Sequence, residues 1–316
     1  MGKTFALIGA GGYIAPRHLQ AIKDTGNVLV AACDPKDSVG VLDKYFFDVH
    51  FFTEFERFDR HAEKLRRKGT PVEYVSICSP NYLHDAHMRF AMRIGANAIC
   101  EKPLVLNPWN LDALAELEQE SGKKISTILQ LRVHPALIKL RENILKVKKV
   151  QKHKIVLTYI TSRGNWYLVS WKGQLDRSGG LATNIGIHFF DLLIWLFGSV
   201  QRSEVHVSMP RKTGGFLELE RATVQWFLSI DKSDLPSQAV AQNKTTFRSI
   251  TMDEKEIEFS EGFANLHTKV YEETLVGNGF GIEDVRPSIS LAHEIRIATP
   301  TGIKAESHPF LTKASL

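Results

Sequence analysis

Cysteine is scarce. The 316 residues hold three, Cys33, Cys78 and Cys100, an odd number without C-x-x-C spacing. That argues against a disulfide scaffold. With each thiol in or beside an expected strand, it favours reduced, buried thiols in a cytoplasm. No apolar run is read as approaching the ~20 residues of a membrane span. The start, Met-Gly-Lys-Thr leading straight into Phe5–Ile8, lacks an apolar h-region followed by a small-residue cleavage site, so no secretion signal is expected. Internal repeats, low-complexity tracts and a Gly/Ser-rich linker are absent as well. Nor does one sign of charge dominate: 40 basic residues against 35 acidic give +5. The basic run Lys146–Lys154 reads as a solvated helix end and loop. Without an RNP, zinc-finger or helix-turn-helix pattern, no nucleic-acid partner is expected. Mild basicity suits an anionic small molecule equally well. What is present is globular composition, 43% hydrophobic and 24% charged, at a length that suits two domains of roughly 150 residues.

The first third alternates in character. Apolar runs at Lys3–Ile8, Val28–Cys33, Glu73–Cys78, Ala96–Cys100 and Ile125–Gln130 read as strands. Helical patterns lie between them: Arg17–Lys23, Tyr82–Ile94, and a helix capped by Asn107 that has Pro108 at its first position and runs to Ser121 before Gly122. Such alternation predicts a parallel sheet covered on both faces. After about Lys148 the style changes. Lys154–Thr161, Glu204–Met209, Thr223–Ile230, Lys244–Met252 and Glu256–Phe259 read as strands of a mostly antiparallel sheet, with Asp253-Glu254 as a hairpin turn. Helices at His188–Phe197 and Glu283–Thr299 are expected to pack on it.

Four segments carry chemistry. Gly9-Ala-Gly11-Gly12-Tyr13-Ile14-Ala15 follows a strand and opens a helix. Gly9 permits the tight turn, and Gly11 lets the backbone approach a pyrophosphate stabilised by the helix N-terminus. Ile14 replaces the third glycine of the usual fingerprint. Asp34 ends the second strand, where a carboxylate binds ribose hydroxyls and repels a 2′-phosphate, so NAD is favoured over NADP. Ser79-Pro80-Asn81-Tyr82-x-His84 follows the strand ending at Cys78, at the edge where ligands of such sheets sit. His84 and His87 alone are too few to predict a metal site. Glu101-Lys102-Pro103 abuts the strand ending at Cys100. A partly desolvated lysine there suits proton transfer, and an exposed salt-bridging lysine is the equally open alternative. Finally, Asn184, His188 and Asp191 lie at i, i+4 and i+7 behind Gly179-Gly180, a polar stripe on an apolar helix.

In this order these motifs resemble the Gfo/Idh/MocA oxidoreductases over nearly the whole chain. The resemblance implies an NAD-binding Rossmann domain over 1–124 and a C-terminal α/β domain over 125–316. The second domain would have a large open, mostly antiparallel sheet that binds substrate and often mediates dimers or tetramers. More narrowly, Gly12–His18, Arg163–Gly173 and Gly279–Asp284 resemble the UDP-N-acetylglucosaminuronate 3-dehydrogenases of bacterial surface-polysaccharide (lipopolysaccharide, O-antigen) synthesis. Those enzymes oxidise the sugar C3 hydroxyl with NAD, and in some relatives 2-oxoglutarate recycles the NADH. The implied cofactor contacts are Gly9, Gly11, Gly12, Tyr13, Ile14 and Asp34, then Ser79, Pro80, Asn81, His84, Glu101, Lys102, Gln130 and Trp171. The implied substrate contacts are Arg163, Asn165, Tyr167, Ser170, Lys172, Asn184 and His188, with the planar fork of Arg163 matched to the uronate carboxylate.

Many sugar dehydrogenases of the wider family carry Asp where this chain has Asn184. Asparagine accepts no proton, so the catalytic base is expected to be Lys102 with His188 orienting or relaying, or the reverse. A dehydrogenase of a free sugar or inositol is the alternative enzyme. A non-catalytic NAD-binding regulatory protein would have lost the lysine or the histidine, and both are present.

Overall fold

The computed structural model describes residues 2–147, 151–258 and 265–312. Its contacts divide the chain into two compact units, Met1–His134 with Gly262–Arg286, and Pro135–Glu261 with Pro287–Leu316.

The first unit is built on β1 (Thr4–Ile8), β2 (Val28–Cys33), β3 (His50–Phe52), β4 (Tyr74–Ile77), β5 (Asn97–Cys100) and β6 (Ile125–Thr127), in the order β3-β2-β1-β4-β5-β6. Every pairing is parallel. This is the doubly wound Rossmann order, in which the connection reverses between β1 and β4 and ligands lie beyond the carboxyl ends of the strands. The central strands have no polar face: Phe5, Ala6, Leu7 and Ile8 are all buried, as a sheet covered on both sides requires. Helices Ala15–Asp24, Phe55–Arg67, His84–Arg93 and Trp109–Ser121 connect the strands.

Several boundaries differ from the sequence reading, each for a local reason. The helix expected from Tyr82 opens with a 3-10 turn, Asn81–Leu83, and becomes α-helical at His84. Pro108 is the cap residue and Trp109 the first helical one. The strand expected to reach Gln130 stops at Thr127, and Gln130–Val133 is a 3-10 turn. β3 and the helix Phe55–Arg67 have no counterpart in the sequence reading. Three residues are too few to display a period of two, and that helix buries only Phe58 and Ala62. The contact division also differs from the boundary expected at 124/125. β6 hydrogen-bonds to β5, and the distant helix Leu266–Leu275 packs on Ala15–Asp24.

The second unit holds β7 (His153–Thr161), β8 (Val200–Ser208), β9 (Lys212–Leu219), β10 (Ala222–Ser229), β11 (Thr246–Met252) and β12 (Lys255–Glu256), in the order β12-β11-β7-β10-β9-β8. All neighbours are antiparallel except β10 and β7. Asp253 and Glu254, with φ of 51° and 68°, make the anticipated turn between β11 and β12. Phe259, assigned to the last strand from sequence, lies outside the described residues. β9 has no counterpart in the sequence reading, because Gly214-Gly215 breaks its pattern. Those glycines admit the buried Trp226: a Cβ on Gly215 would lie 2.9 Å from the Trp226 ring and 2.0 Å from the Glu204 carbonyl.

Helix Ile187–Phe197 covers this sheet, with Phe190 edge-on to Trp226 at 5.4 Å between centroids. The helical stretch Leu175–Phe197 is, contrary to the sequence reading, long and apolar enough for a membrane span. Most of it is buried inside the protein, so its apolarity belongs to the core. Helix Ile282–Ile297 matches the expectation within a few residues and carries Pro287, where the contact division falls.

Candidate active site

The glycine loop is shaped by contacts that admit no side chain. Gly9 has φ +93°, and a Cβ there would sit 2.6 Å from the Cys78 carbonyl carbon and 2.8 Å from the Ser79 nitrogen. Only glycine meets both conditions. A Cβ on Gly11 would press to 3.3 Å on the Asp34 carboxylate. Instead the Gly11 N–H donates to Asp34 Oδ2 at 2.9 Å, while the Lys36 N–H donates to Oδ1 at 2.8 Å. Asp34 is thereby fixed at the end of β2, beside the loop. The helix from Ala15 has no side-chain cap and no acidic residue in its first turn. Its N-terminal amides are therefore suited to an anionic group. Ile14 is the cap residue, and Tyr13 is almost fully exposed on the loop.

At the carboxyl end of β4, Ser79 and Asn81 are buried. The Ser79 hydroxyl meets His87 Nδ1 at 2.8 Å. His84, expected as a cofactor contact, is buried with one ring nitrogen 2.8 Å from the Ser79 carbonyl and the other 2.8 Å from the Pro103 carbonyl. It therefore ties two loops together: the one bearing Ser79-Pro80-Asn81 and the one bearing Lys102. Burial outweighs these carbonyls and holds its pKa low.

Glu101 is buried at the carboxyl end of β5, and Lys102 beside it is half-buried. Glu101 Oε1 lies 3.0 Å from His18 Nε2 and 3.1 Å from His267 Nε2. Burial alone would raise the Glu101 carboxyl, but the two imidazoles outweigh it and keep it well below the usual carboxylate range. Burial depresses the Lys102 ammonium, with the Glu101 charge opposing. A lysine shifted downward is better able to accept a proton near neutral pH. The donor atoms of His18, Glu101 and His267 lie within 4.8 Å of one another, a spacing compatible with a metal ion. They are equally well described as two imidazoles hydrogen-bonding to one carboxylate oxygen. Sequence reasoning missed His18 and His267 as site residues. His18 sits on the apolar face of its helix, where it looks structural, and His267 is 166 positions from Glu101. Gln130 also borders this region, its Oε1 buried without a hydrogen-bond partner.

In the second unit a π-helical turn, Ala182–Gly186, leads into the helix from Ile187. Such turns widen a helix locally and recur at functional sites. From Leu181 to Leu193 every residue is buried except Asn184 and His188. Those two polar side chains thus reach the surface of an otherwise sealed helix, whereas Asp191 is buried. Asn184 Nδ2 donates to Tyr167 Oη at 2.6 Å. Tyr167 is buried, and its phenol is raised chiefly by that burial. Arg163 is exposed, Asn165 accepts from Arg211 at 2.8 Å, and the Lys172 ammonium lies 4.0 Å above the Trp171 ring. The Ser170 hydroxyl donates to the Tyr167 carbonyl at 2.8 Å and accepts from the Lys172 N–H at 3.3 Å, which shapes this loop.

Comparison with known proteins agrees with the fold. Residues 3–128 match the oxidoreductase family, NAD-binding Rossmann fold (GFO_IDH_MocA), and residues 141–223 match that family's C-terminal alpha/beta domain. The chain is similar to the WlbA (WbpB) dehydrogenase from Thermus thermophilus, solved in complex with NAD and alpha-ketoglutarate. Identity is 52% over 98% of this chain and 100% of that one, with a TM-score of 0.94. The same dehydrogenase in complex with NAD and UDP-GlcNAcA gives 51% identity over the same shares and a TM-score of 0.93. Among curated proteins, the putative oxidoreductase YteT of Bacillus subtilis is 27% identical over 52% of this chain but only 38% of its own length.

Proposed function

The chain belongs to the Gfo/Idh/MocA oxidoreductase family, and on that premise we propose that it is an NAD-dependent dehydrogenase that oxidises the C3 hydroxyl of UDP-N-acetylglucosaminuronate to the 3-keto sugar. The observation that carries the reading is the near-full-length similarity, at 51% identity, to a dehydrogenase solved with NAD and UDP-GlcNAcA. The chain's own residues fit the cofactor: glycines at 9, 11 and 12 let the loop turn tightly against the end of β4 and Asp34 ahead of an uncapped helix N-terminus, and Asp34 stands where ribose hydroxyls are read. Ser79, Asn81, Gln130 and Trp171 complete the proposed cofactor contacts. NAD, when bound, supplies the hydride acceptor.

Proton transfer falls to this chain. Lys102, half-buried and depressed by that burial, takes the proton of the C3 hydroxyl. His188 holds the same hydroxyl from the other side. Asn184, a donor and acceptor but no base, orients the sugar with Tyr167 fixed behind it. The Arg163 guanidinium pairs with the uronate carboxylate, and Asn165, Ser170 and Lys172 line the sugar nucleotide. The complex of the Thermus dehydrogenase with alpha-ketoglutarate supports 2-oxoglutarate as the partner that restores the oxidised cofactor. On this reading the enzyme works in the cytoplasm, as a homodimer or homotetramer, in bacterial lipopolysaccharide sugar synthesis.

The test is absorbance in the NADH band on adding UDP-N-acetylglucosaminuronate, beside UDP, free sugars and inositol, with and without 2-oxoglutarate. Turnover of the UDP-uronate alone is expected. Turnover of a free sugar or inositol with no response to UDP compounds contradicts the reading. Lys102→Met is expected to abolish turnover while NAD still binds, and retained turnover refutes the assignment of Lys102.

A further inference from the structure

We propose that His18 and His267 are positioning residues for this reaction: they clamp the Glu101 carboxylate, and the clamped carboxylate holds the adjoining Lys102 in the place and charge balance a base requires. The inference rests on the assignment of Lys102 made above.

Its basis is a continuous chain of hydrogen bonds inside the first unit. Glu101 Oε1 takes both Nε2 atoms, at 3.0 and 3.1 Å. Its other oxygen, Oε2, accepts from the Lys102 N–H at 3.3 Å. His18 Nδ1 lies 2.7 Å from the Tyr271 hydroxyl, which in turn lies 2.7 Å from the Ser76 hydroxyl. These contacts are satisfied in one direction with neutral groups. Ser76 donates to Tyr271, Tyr271 donates to His18 Nδ1, and His18 Nε2–H donates to Glu101. Burial depresses His18, in keeping with a neutral ring. The carboxylate is therefore the single negative charge of the cluster, and all five side chains are buried.

Other titratable groups surround it. Cys78 follows β4, Cys100 precedes Glu101 on β5, and Lys102 follows it. His84 feels both the Glu101 and the Lys102 charge. Burial keeps both thiols protonated, so Lys102 faces a fixed carboxylate. The clamp also has a mechanical side. His18 is on the helix that the glycine loop opens, and His267 is on the helix packed against it. The segment bearing the base is thereby tied to the helix proposed to receive the cofactor phosphates.

The experiment is the pH dependence of kcat for the full enzyme with NAD and UDP-N-acetylglucosaminuronate, measured on Glu101→Gln, His267→Leu and His267→Gln, with Lys102→Met as control. The acid limb reports protonation of the base. Removing the carboxylate charge in Glu101→Gln is expected to move that limb to lower pH by about one unit. His267→Leu is expected to move it the same way and to lower kcat while leaving KM for NAD unchanged. His267→Gln, which keeps an N–H donor, is expected to recover both. A limb that stays in place in Glu101→Gln overturns the proposal, and it does so even if His267→Leu yields no folded protein. Turnover surviving in Lys102→Met points instead to failure of the underlying assignment, so the two failures are told apart.

Discussion

Gly9 shows how narrowly single residues constrain this protein. Its positive φ and the backbone of Cys78 and Ser79 leave no space for a methyl group. Gly9→Ala is expected to lower the thermal midpoint and to weaken NAD binding together, measured by differential scanning fluorimetry with and without NAD. An unchanged midpoint together with an unchanged NAD affinity contradicts that account. Asp34 works by charge instead. It is held by the N–H groups of Gly11 and Lys36, and its anionic character disfavours a 2′-phosphate. Asp34→Asn retains an acceptor for the loop but loses the charge. The ratio of kcat/KM for NAD over NADP is expected to fall by about tenfold, the equivalent of ~1.4 kcal/mol. A ratio that does not move assigns Asp34 to the turn alone.

The elements differ in how clearly the sequence announces them. β1, β2, β4 and β5 are continuous apolar runs, and each is found within a residue or two of its expected place. The Asp253-Glu254 turn is equally legible, since a two-residue hairpin loop favours residues that tolerate positive φ. β9 is hidden because its glycines serve Trp226 on a neighbouring strand, a requirement that local periodicity does not contain. The same limit applies to the active site. Lys102, Asn184 and His188 are the candidates that sequence can single out, because each borders a recognisable strand end or glycine-led helix. His267 is not, since its link to Glu101 spans the chain. Where an element is buried on nearly every side, side-chain packing contributes most of its stability. Phe190 on helix Ile187–Phe197 is fully buried against Trp226. Phe190→Ala is expected to cost about 3–5 kcal/mol in urea unfolding. A loss below ~1 kcal/mol would mean that the helix repacks.

For the molecule as a whole, buried neutral histidines contribute to the acid limit of stability. Burial pushes His308 down to about 3, where Nε2 lies 2.9 Å from the Thr158 hydroxyl. Burial likewise pushes His87 down to about 4, with the neighbouring His84 adding to it. Both folded values lie below the ordinary 6.5. The unfolded chain therefore takes up these protons first as pH falls. Their contribution is intact above about pH 6.5 and is lost progressively between there and the folded values. Urea midpoints are expected to fall steadily from pH 7 to pH 4, with a shallower decline in His308→Gln. A decline no shallower in that variant removes His308 from the account. The proposed chemistry makes its own demand at this scale, because Lys102 and His188 belong to different compact units. The most direct measurement is a crystal structure of the protein with NAD and UDP-N-acetylglucosaminuronate. Lys102 Nζ and a His188 ring nitrogen are both expected within about 2.6–3.2 Å of the sugar C3 hydroxyl. A sugar bound with either nitrogen beyond hydrogen-bond reach of that hydroxyl, directly or through one water, contradicts the proposed chemistry.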